Sequence, residues 1–156
     1  MSKHRVWLIT GASSGFGREM TELVLKKGNI AVATARKPET LDVSKSQEIK
    51  EVFVQISETF GRLDVVFNNA GYAFLGEVEA TPEDAARAMS DTNFWGATNI
   101  SREAVKFSRE MNKPIGGRLV VNSSEAGFHA MPGLGFYSSS KHEGLTAALA
   151  QGLDPE

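Results

Sequence analysis

The sequence predicts an α/β fold built on a doubly wound parallel sheet, and three observations carry that expectation. Short apolar runs of three to six residues alternate along the chain with longer segments of helical periodicity, the pattern of strands separated by crossover helices. The first strand-to-helix junction is rich in glycine, Thr10-Gly11-Ala12-Ser13-Ser14-Gly15-Phe16-Gly17. Two later strands run out into Asn68-Asn69-Ala70-Gly71 and Asn122-Ser123-Ser124, small polar residues at the strand ends where open α/β sheets bind ligands.

Val6 to Ile9 read as a buried strand. The segment after it places Phe16, Met20, Leu23 and Val24 on one helical face, and Lys26-Lys27-Gly28 supplies a cationic, glycine-capped end, which suits the negative pole of a helix. Ile30 to Ala35 read as the second strand. Ser44-Lys45-Ser46-Gln47 has the spacing of a capping box, and Ile49, Val52, Phe53, Ile56 and Phe60 continue it as an amphipathic helix. Leu63 to Phe67 make the next strand. Thr81-Pro82 predicts a helix start, a capping hydroxyl followed by a first-turn proline. Phe94, Ala97, Ala104 and Met111 then recur near helical spacing, Leu119 to Val121 read as a strand, and a final helix carries Tyr137, Lys141, Leu145 and Leu149.

One junction conflicts with chain geometry. A parallel strand ending at Asp42 would follow the strand ending at Ala35 with six residues between them, whereas a right-handed crossover with its helix takes roughly a dozen or more. Six extended residues reach about 20 Å, enough to return along a short strand but not to add a covering helix. Either no strand precedes Asp42, or residues are missing between Thr40 and Leu41. We expect the second, an incomplete sheet lacking the crossover after Thr40, with the chain broken there.

With 156 residues, 41% of them apolar, the chain suffices for one domain over 1–156 with a sizeable core and falls short of two. A formal net charge of -2 with 23% charged residues gives no polyanion-binding surface, so nucleic acid is not an expected partner. The absence of cysteine excludes a disulfide framework and thiolate catalysis, and three scattered histidines make no metal site. No apolar run approaches the roughly 18 residues of a membrane span, and the first one is too short for a signal-peptide core. The composition reads as that of a soluble, cytoplasmic protein.

In the glycine-rich junction, Gly11 suits a tight turn, Gly15 lets the backbone approach a pyrophosphate, and Gly17 lets helix and strand pack closely. The helix start offers free N–H groups and a positive dipole end to phosphates. The spacing is G-x-x-x-G-x-G rather than the commoner G-x-G-x-x-G. Together with Asn68-Asn69-Ala70-Gly71, Leu41-Asp42-Val43 and Tyr137-Ser138-Ser139-Ser140-Lys141, it resembles the short-chain dehydrogenase/reductase family. The resemblance runs from about Val6 to Gln151 and implies a Rossmann-like sheet. It also implies that Gly11, Ser13, Ser14, Gly15, Phe16 and Gly17 hold a nicotinamide dinucleotide. Asp42 would contact the adenine amino group, and Asn69, Ala70 and Gly71 would support the sheet and line the adenosine pocket. The family's acid at the end of the second strand, the mark of NAD preference, is replaced by Ala35, followed by Arg36 and Lys37. A guanidinium at Arg36 can bind a 2′-phosphate through two hydrogen bonds, so the cofactor expected is NADP(H) rather than NAD(H).

Tyr137 and Lys141 lie four residues apart, on one face of a helix. An ordinary tyrosine, with a pKa of about 10, is a sluggish acid near neutrality. An adjacent ammonium favours its phenolate and brings proton transfer toward the neutral range. By the resemblance, Tyr137 is the acid/base, and Lys141 also binds the nicotinamide ribose. Ser124 stands 13 residues before Tyr137, the family's spacing, and is followed by Glu125-Ala126-Gly127. It would hydrogen-bond the carbonyl oxygen, with Ser123 the competing assignment. Asn93, within Asp91-Thr92-Asn93-Phe94-Trp95-Gly96, matches the family's residue that interrupts a helix and holds a relay water. The implied reaction is hydride exchange between NADP(H) and the carbonyl or secondary alcohol of a small molecule. Tyr72, Phe74, Leu75, Phe128, His129, Met131 and Phe136 offer that molecule an apolar, partly aromatic wall, or else pack loops onto the domain. A noncatalytic nucleotide-binding or regulatory relative is the alternative.

The sequence departs from the family's pattern in two places. Family members continue past the catalytic helix into further strands, a Pro-Gly motif and a substrate lid, whereas this sequence ends at Pro155-Glu156, so C-terminal strands are expected to be missing. The run Lys141-His142-Glu143-Gly144-Leu145 is about two residues short of the family's, a deletion that rotates everything after it by about 200°. By the family's habit, a homodimer or homotetramer is expected.

Overall fold

Successive residues of a strand point to opposite faces of a sheet, and strand β1 (Val6–Ile9) uses both. Val6 and Leu8 join one core, while Ile9 joins a second one with Trp7 packed against it. A strand that is apolar on both faces needs cover on both, which is why its sequence is a continuous apolar run. The computed structural model describes residues 4–36 and 41–149. Within them β1, β2 (Ile30–Ala33), β3 (Val65–Asn68) and β4 (Arg118–Val121) form one sheet in the order β2-β1-β3-β4. Every pair is parallel.

Five α-helices accompany these strands among the described residues: α1 (Gly15–Lys26), α2 (Ser46–Phe60), α3 (Glu83–Ser90), α4 (Ala97–Glu110) and α5 (Gly135–Leu149). The larger core takes Ile49, Val52, Phe53 and Ile56 from α2 and Ile100, Ala104 and Phe107 from α4. The Phe53 and Phe107 rings meet there at 6.2 Å between centroids. The smaller core sets Val24 of α1, with Met20 packed against it, on Ile9 and Phe67. The chain leaves β1 through α1 to β2 and then crosses back through α2 to β3 on the other side of β1. That reversal opens a crevice beyond the carboxyl ends of β1 and β3, the place where a doubly wound sheet takes its ligand.

Several local expectations shift. Val24 is buried and Met20 packs against the core as expected, but Phe16 and Leu23 are 73% and 46% exposed, and α1 buries Gly17 as well. This turn of the face lets the glycine, rather than a side chain, sit against the sheet. β2 ends at Ala33, two residues earlier than expected. The Thr34 N–H still bonds the Ile9 carbonyl, and the Thr34 carbonyl then accepts from Ala12 in the glycine loop. α2 has Lys45 rather than Ser44 at its cap, with no side-chain bond from that residue. The entry is held from outside: the Asp42 N–H donates to Glu48 Oε2 at 2.8 Å, and Asp42 Oδ1 accepts from the Ser44 N–H and hydroxyl at 3.0 and 2.8 Å. At α3 the capping position falls on Pro82, and the Thr81 hydroxyl bonds back to the Glu77 carbonyl.

The expected break after Thr40 lies outside the described residues. On its far side no strand forms at Leu41–Val43, although Leu41 and Val43 are buried in the larger core. The Leu41 N–H donates to the Ala35 carbonyl at 3.3 Å, and the chain passes directly into α2, so β2 is the outer strand on this side of the sheet among the described residues. At the other end of β3, Asp64 accepts from the Val6 N–H at 2.8 Å and pairs with Arg62. The buried Asn112 side chain holds the Leu63 N–H and carbonyl and the Gly116 carbonyl. Among the described residues no helix is long and apolar enough to cross a membrane.

Candidate active site

The crevice is built first from the glycine loop. Gly11 and Gly15 take φ of +66° and +53°, the left-handed region that costs glycine nothing. A Cβ on Gly17 would lie 2.3 Å from the Gly11 carbonyl oxygen and 2.6 Å from Asn69 Nδ2, whereas one on Gly15 would meet nothing within 4 Å. Gly17 thus lets α1 seat against the loop, and Gly15 keeps the helix start bare. The loop is braced from β3. The buried Thr10 hydroxyl accepts from the N–H groups of Asn69 and Ala70 at 2.9 and 3.0 Å, and Asn69 Nδ2 donates to the Thr10 carbonyl at 2.9 Å.

The resulting cleft measures about 630 Å³ and is lined by Gly11, Ser13, Ser14, Gly15, Phe16, Ala35, Arg36, Leu41, Val43, Asn69, Ala70, Gly71 and Thr92. Gly11, Ser13, Ser14, Gly15, Phe16, Arg36, Asn69, Ala70 and Gly71 of the expected nucleotide-site residues are on this wall, and Gly17, Asp42, Tyr137 and Lys141 are not. The residues flanking Asp42, Leu41 and Val43, line the cleft, while its own carboxylate closes the turn onto Ser44. Burial pulls the Asp42 carboxyl upward, but the two Ser44 bonds and the charges of Lys45 and Arg36 outweigh it and leave the pKa lowered. The cleft's bare helix start, with the free N–H groups of a first turn, fits the phosphates of a dinucleotide.

Beside the cleft lies the second group of expected residues. Helix α3 does not run smoothly into α4; Asp91–Gly96 form a π-helical turn between them, a widening that frequently marks functional sites. It carries Asn93, 2% exposed, whose Oδ1 accepts from the Tyr72 N–H at 3.0 Å. Asn93 Nδ2 donates to the Tyr72 carbonyl at 2.8 Å and to Ser140 Oγ at 3.1 Å. Asn93 therefore clamps the loop after Gly71 to α5. Lys141 points into the same region, its Nζ 5.8 Å from the Tyr137 ring centroid and donating to the Asn122 carbonyl at 3.2 Å. A Cβ on Gly71 would lie 2.9 Å from Asn93 Oδ1 and 3.1 Å from Lys141 Nζ, so the absence of a side chain there lets the ammonium approach the cleft. Burial alone holds the Lys141 ammonium below the usual lysine value.

Ser124 caps a short 3-10 turn, Glu125–Gly127, its Oγ accepting from the Ala126 N–H at 3.2 Å. A hydroxyl that accepts one bond still has its hydrogen to give. Ser123, the competing assignment, has a buried hydroxyl with no hydrogen-bond partner among the described residues, and it lines a small cavity with Asn93, Asn122, Lys141 and Gly144. A Cβ on Gly144 would lie 2.8 Å from the Asn93 carbonyl oxygen, so glycine permits α5 to pack there. Leu145 and Leu149 fall outside the residues with described side chains.

Sequence reasoning missed Thr10, Asn122 and Ser140 as site residues, and it missed the hold of Asn93 on Tyr72, which it had placed only on the substrate wall. Position offered a signal for two of them, since Thr10 and Asn122 directly follow apolar strands. Asn122 Nδ2 also donates to Asn69 Oδ1 at 2.9 Å, tying the two strand ends together. Nothing local to Tyr72 or Ser140 reports that Asn93 will reach them.

A parallel α/β sheet with a glycine-walled cleft at its reversal point, flanked by a clustered Tyr, Lys and Asn, defines the nucleotide-binding Rossmann-like class. A family model described as short chain dehydrogenase matches residues 38–156, and the chain belongs to that family. It is 35% identical to an oxidoreductase of Schizosaccharomyces pombe over 162 residues, 95% of this chain and 55% of that one. It is 34% identical to a 3-ketodihydrosphingosine reductase of Bacteroides thetaiotaomicron over 162 residues, 97% of this chain and 59% of that protein. The structure of ElxO with NADP bound superposes with a TM-score of 0.82 at 28% identity, covering 90% of this chain and 64% of that one. The chain thus spans somewhat more than half the length of the curated relatives it matches.

Proposed function

We propose that this chain carries the cofactor cleft and catalytic group of an NADP(H)-dependent oxidoreductase acting on the carbonyl or secondary alcohol of a hydrophobic small molecule. The observation that carries the reading is the place of the Lys141 ammonium, next to Asn93 at Gly71 of the glycine-walled cleft and 5.8 Å from the Tyr137 ring centroid. Gly11, Ser13, Ser14 and Gly15 hold the phosphates, Arg36 takes the 2′-phosphate, and Tyr137 and Lys141 bind on the nicotinamide side. When bound, the reduced cofactor supplies hydride to the carbonyl carbon.

The chain's own residues supply the rest. Tyr137 gives its phenolic proton to the carbonyl oxygen as that oxygen becomes negative. Ser124, with its Oγ already accepting from Ala126, donates its hydrogen to the same oxygen. The Lys141 ammonium favours the phenolate that remains. Asn93 keeps α5 and the Tyr72 loop in register, so that these groups stay aligned. Oxidation of the alcohol runs the same path in reverse. Leu75, Phe128 and Met131, exposed at 75%, 71% and 40%, offer apolar surface on the loops that flank Tyr137. The NADP of one structural neighbour and the 3-ketodihydrosphingosine in the name of one relative are in keeping with this reading.

The test is NADPH consumption over a panel of apolar ketones and aldehydes. Tyr137→Phe is expected to lower turnover by about 10²- to 10⁴-fold while leaving NADPH binding within a few-fold of the parent. Unchanged turnover removes Tyr137 from the chemistry and favours a noncatalytic nucleotide-binding role.

A further inference from the structure

An arginine of the cleft wall meets an aromatic ring rooted next to that wall. Arg36 follows β2 and lines the cleft, and its guanidinium carbon lies 5.6 Å from the centroid of the Tyr72 ring. Tyr72 directly follows Gly71, which also lines the cleft. Its backbone is unusually well held for a loop residue, since the buried Asn93 amide binds both its N–H and its carbonyl. The ring therefore projects from a fixed root. Arg36 itself is exposed, and the nearby Asp42 carboxylate is already engaged by Ser44.

An exposed arginine samples many rotamers and must be ordered before it can grip a phosphate through two N–H groups. A cation resting on an aromatic face is ordered without spending any of its N–H donors. We propose that Tyr72 is a specificity-determining residue for the adenosine 2′-phosphate, its ring holding the Arg36 guanidinium at the cleft mouth with the donor edge free. The proposal rests on the NADP(H) reading above. It also links the two halves of the site, because the Asn93 side chain that braces α5 also sets the root of the ring that positions Arg36.

The test compares adenosine 2′,5′-bisphosphate with adenosine 5′-monophosphate by calorimetric titration, two probes that differ only in the 2′-phosphate and need no turnover. Arg36→Leu is expected to lose the preference for the bisphosphate. Tyr72→Leu is expected to reduce that preference about two- to fivefold, through weaker bisphosphate binding with the monophosphate unchanged. Tyr72→Phe, which keeps the ring, retains it, and Tyr72→Leu added to Arg36→Leu has no further effect. If Arg36→Leu loses the preference while Tyr72→Leu keeps the parental ratio, the role of Tyr72 is overturned and the NADP(H) reading stands. If Arg36→Leu keeps the preference, both fall together.

Discussion

Lys141 shows how one residue can be costly to the fold and useful to the site. Its side chain is 9% exposed, its ammonium has the Asn122 carbonyl as hydrogen-bond acceptor, and burial lowers its pKa. The unfolded chain therefore holds this proton more tightly than the fold does. The charged amine costs stability below the folded pKa, and the cost fades as pH rises through that value toward 10.5. Lys141→Met should accordingly lower turnover by about 10²-fold or more. The Tm of the variant relative to the parent should be highest near neutral pH and fall toward about pH 10. Thermal melts across that range check the sign; an opposite trend would mean that the fold stabilises the cation. Tyr137, Lys141, Ser124 and Asn93 were legible as candidates because short motifs carry the family resemblance. The clamp on Tyr72 was not, because it comes from Asn93, which is 21 residues away.

At the scale of an element, the first strand-to-helix junction separates two reasons for glycine. Gly17→Ala puts a Cβ 2.3 Å from a backbone oxygen, which no rotamer relieves, so α1 must shift. The expected cost is about 1–3 kcal/mol, together with loss of nucleotide binding. Gly15→Ala meets nothing within 4 Å and pays only for a left-handed backbone, about 1 kcal/mol. Chemical denaturation of the two variants should rank them in that order. The existence of each helix was readable from its periodicity, and its ends were less so. The start of α2 moved because Asp42 Oδ1 already accepts from the Ser44 N–H and hydroxyl, the groups that a Ser44 capping box would have used. The π-helical turn at Asp91–Gly96 is likewise not read from periodicity, because a single wide turn leaves the spacing on either side helical.

The whole molecule is held at the entry of its central strands by Asp64, which accepts from Val6 across the sheet and pairs with Arg62. Burial by itself raises the Asp64 carboxyl, but the bonds from Arg62 and Val6 and the charges of Arg62 and Arg5 prevail and lower it. A lowered carboxylate stabilises the fold above its ordinary value of 3.8, and that contribution is lost as pH falls through the folded value. Asp64→Asn should therefore cost about 1–3 kcal/mol at neutral pH, and the gap to the parent should close as pH falls below 3.8 and through the folded value. Urea titrations at neutral and acid pH measure both ends. At this scale the sheet order also becomes clear: β1 lies between β2 and β3, and the cleft opens where the chain reverses direction across it.

The sequence by itself determined which segments become strands and helices and where the glycine loop falls, because periodicity, turn residues and motif spacing act over a few neighbouring residues. Only the tertiary structure decided that no strand forms at Leu41–Val43, that Asp42 serves a turn rather than the cleft wall, and that Asn93 reaches Tyr72 and Ser140. Those outcomes depend on which groups meet across the sheet and between helices. Such pairings are set by competition among distant hydrogen-bond partners and packing surfaces, of which no single stretch of sequence carries a record.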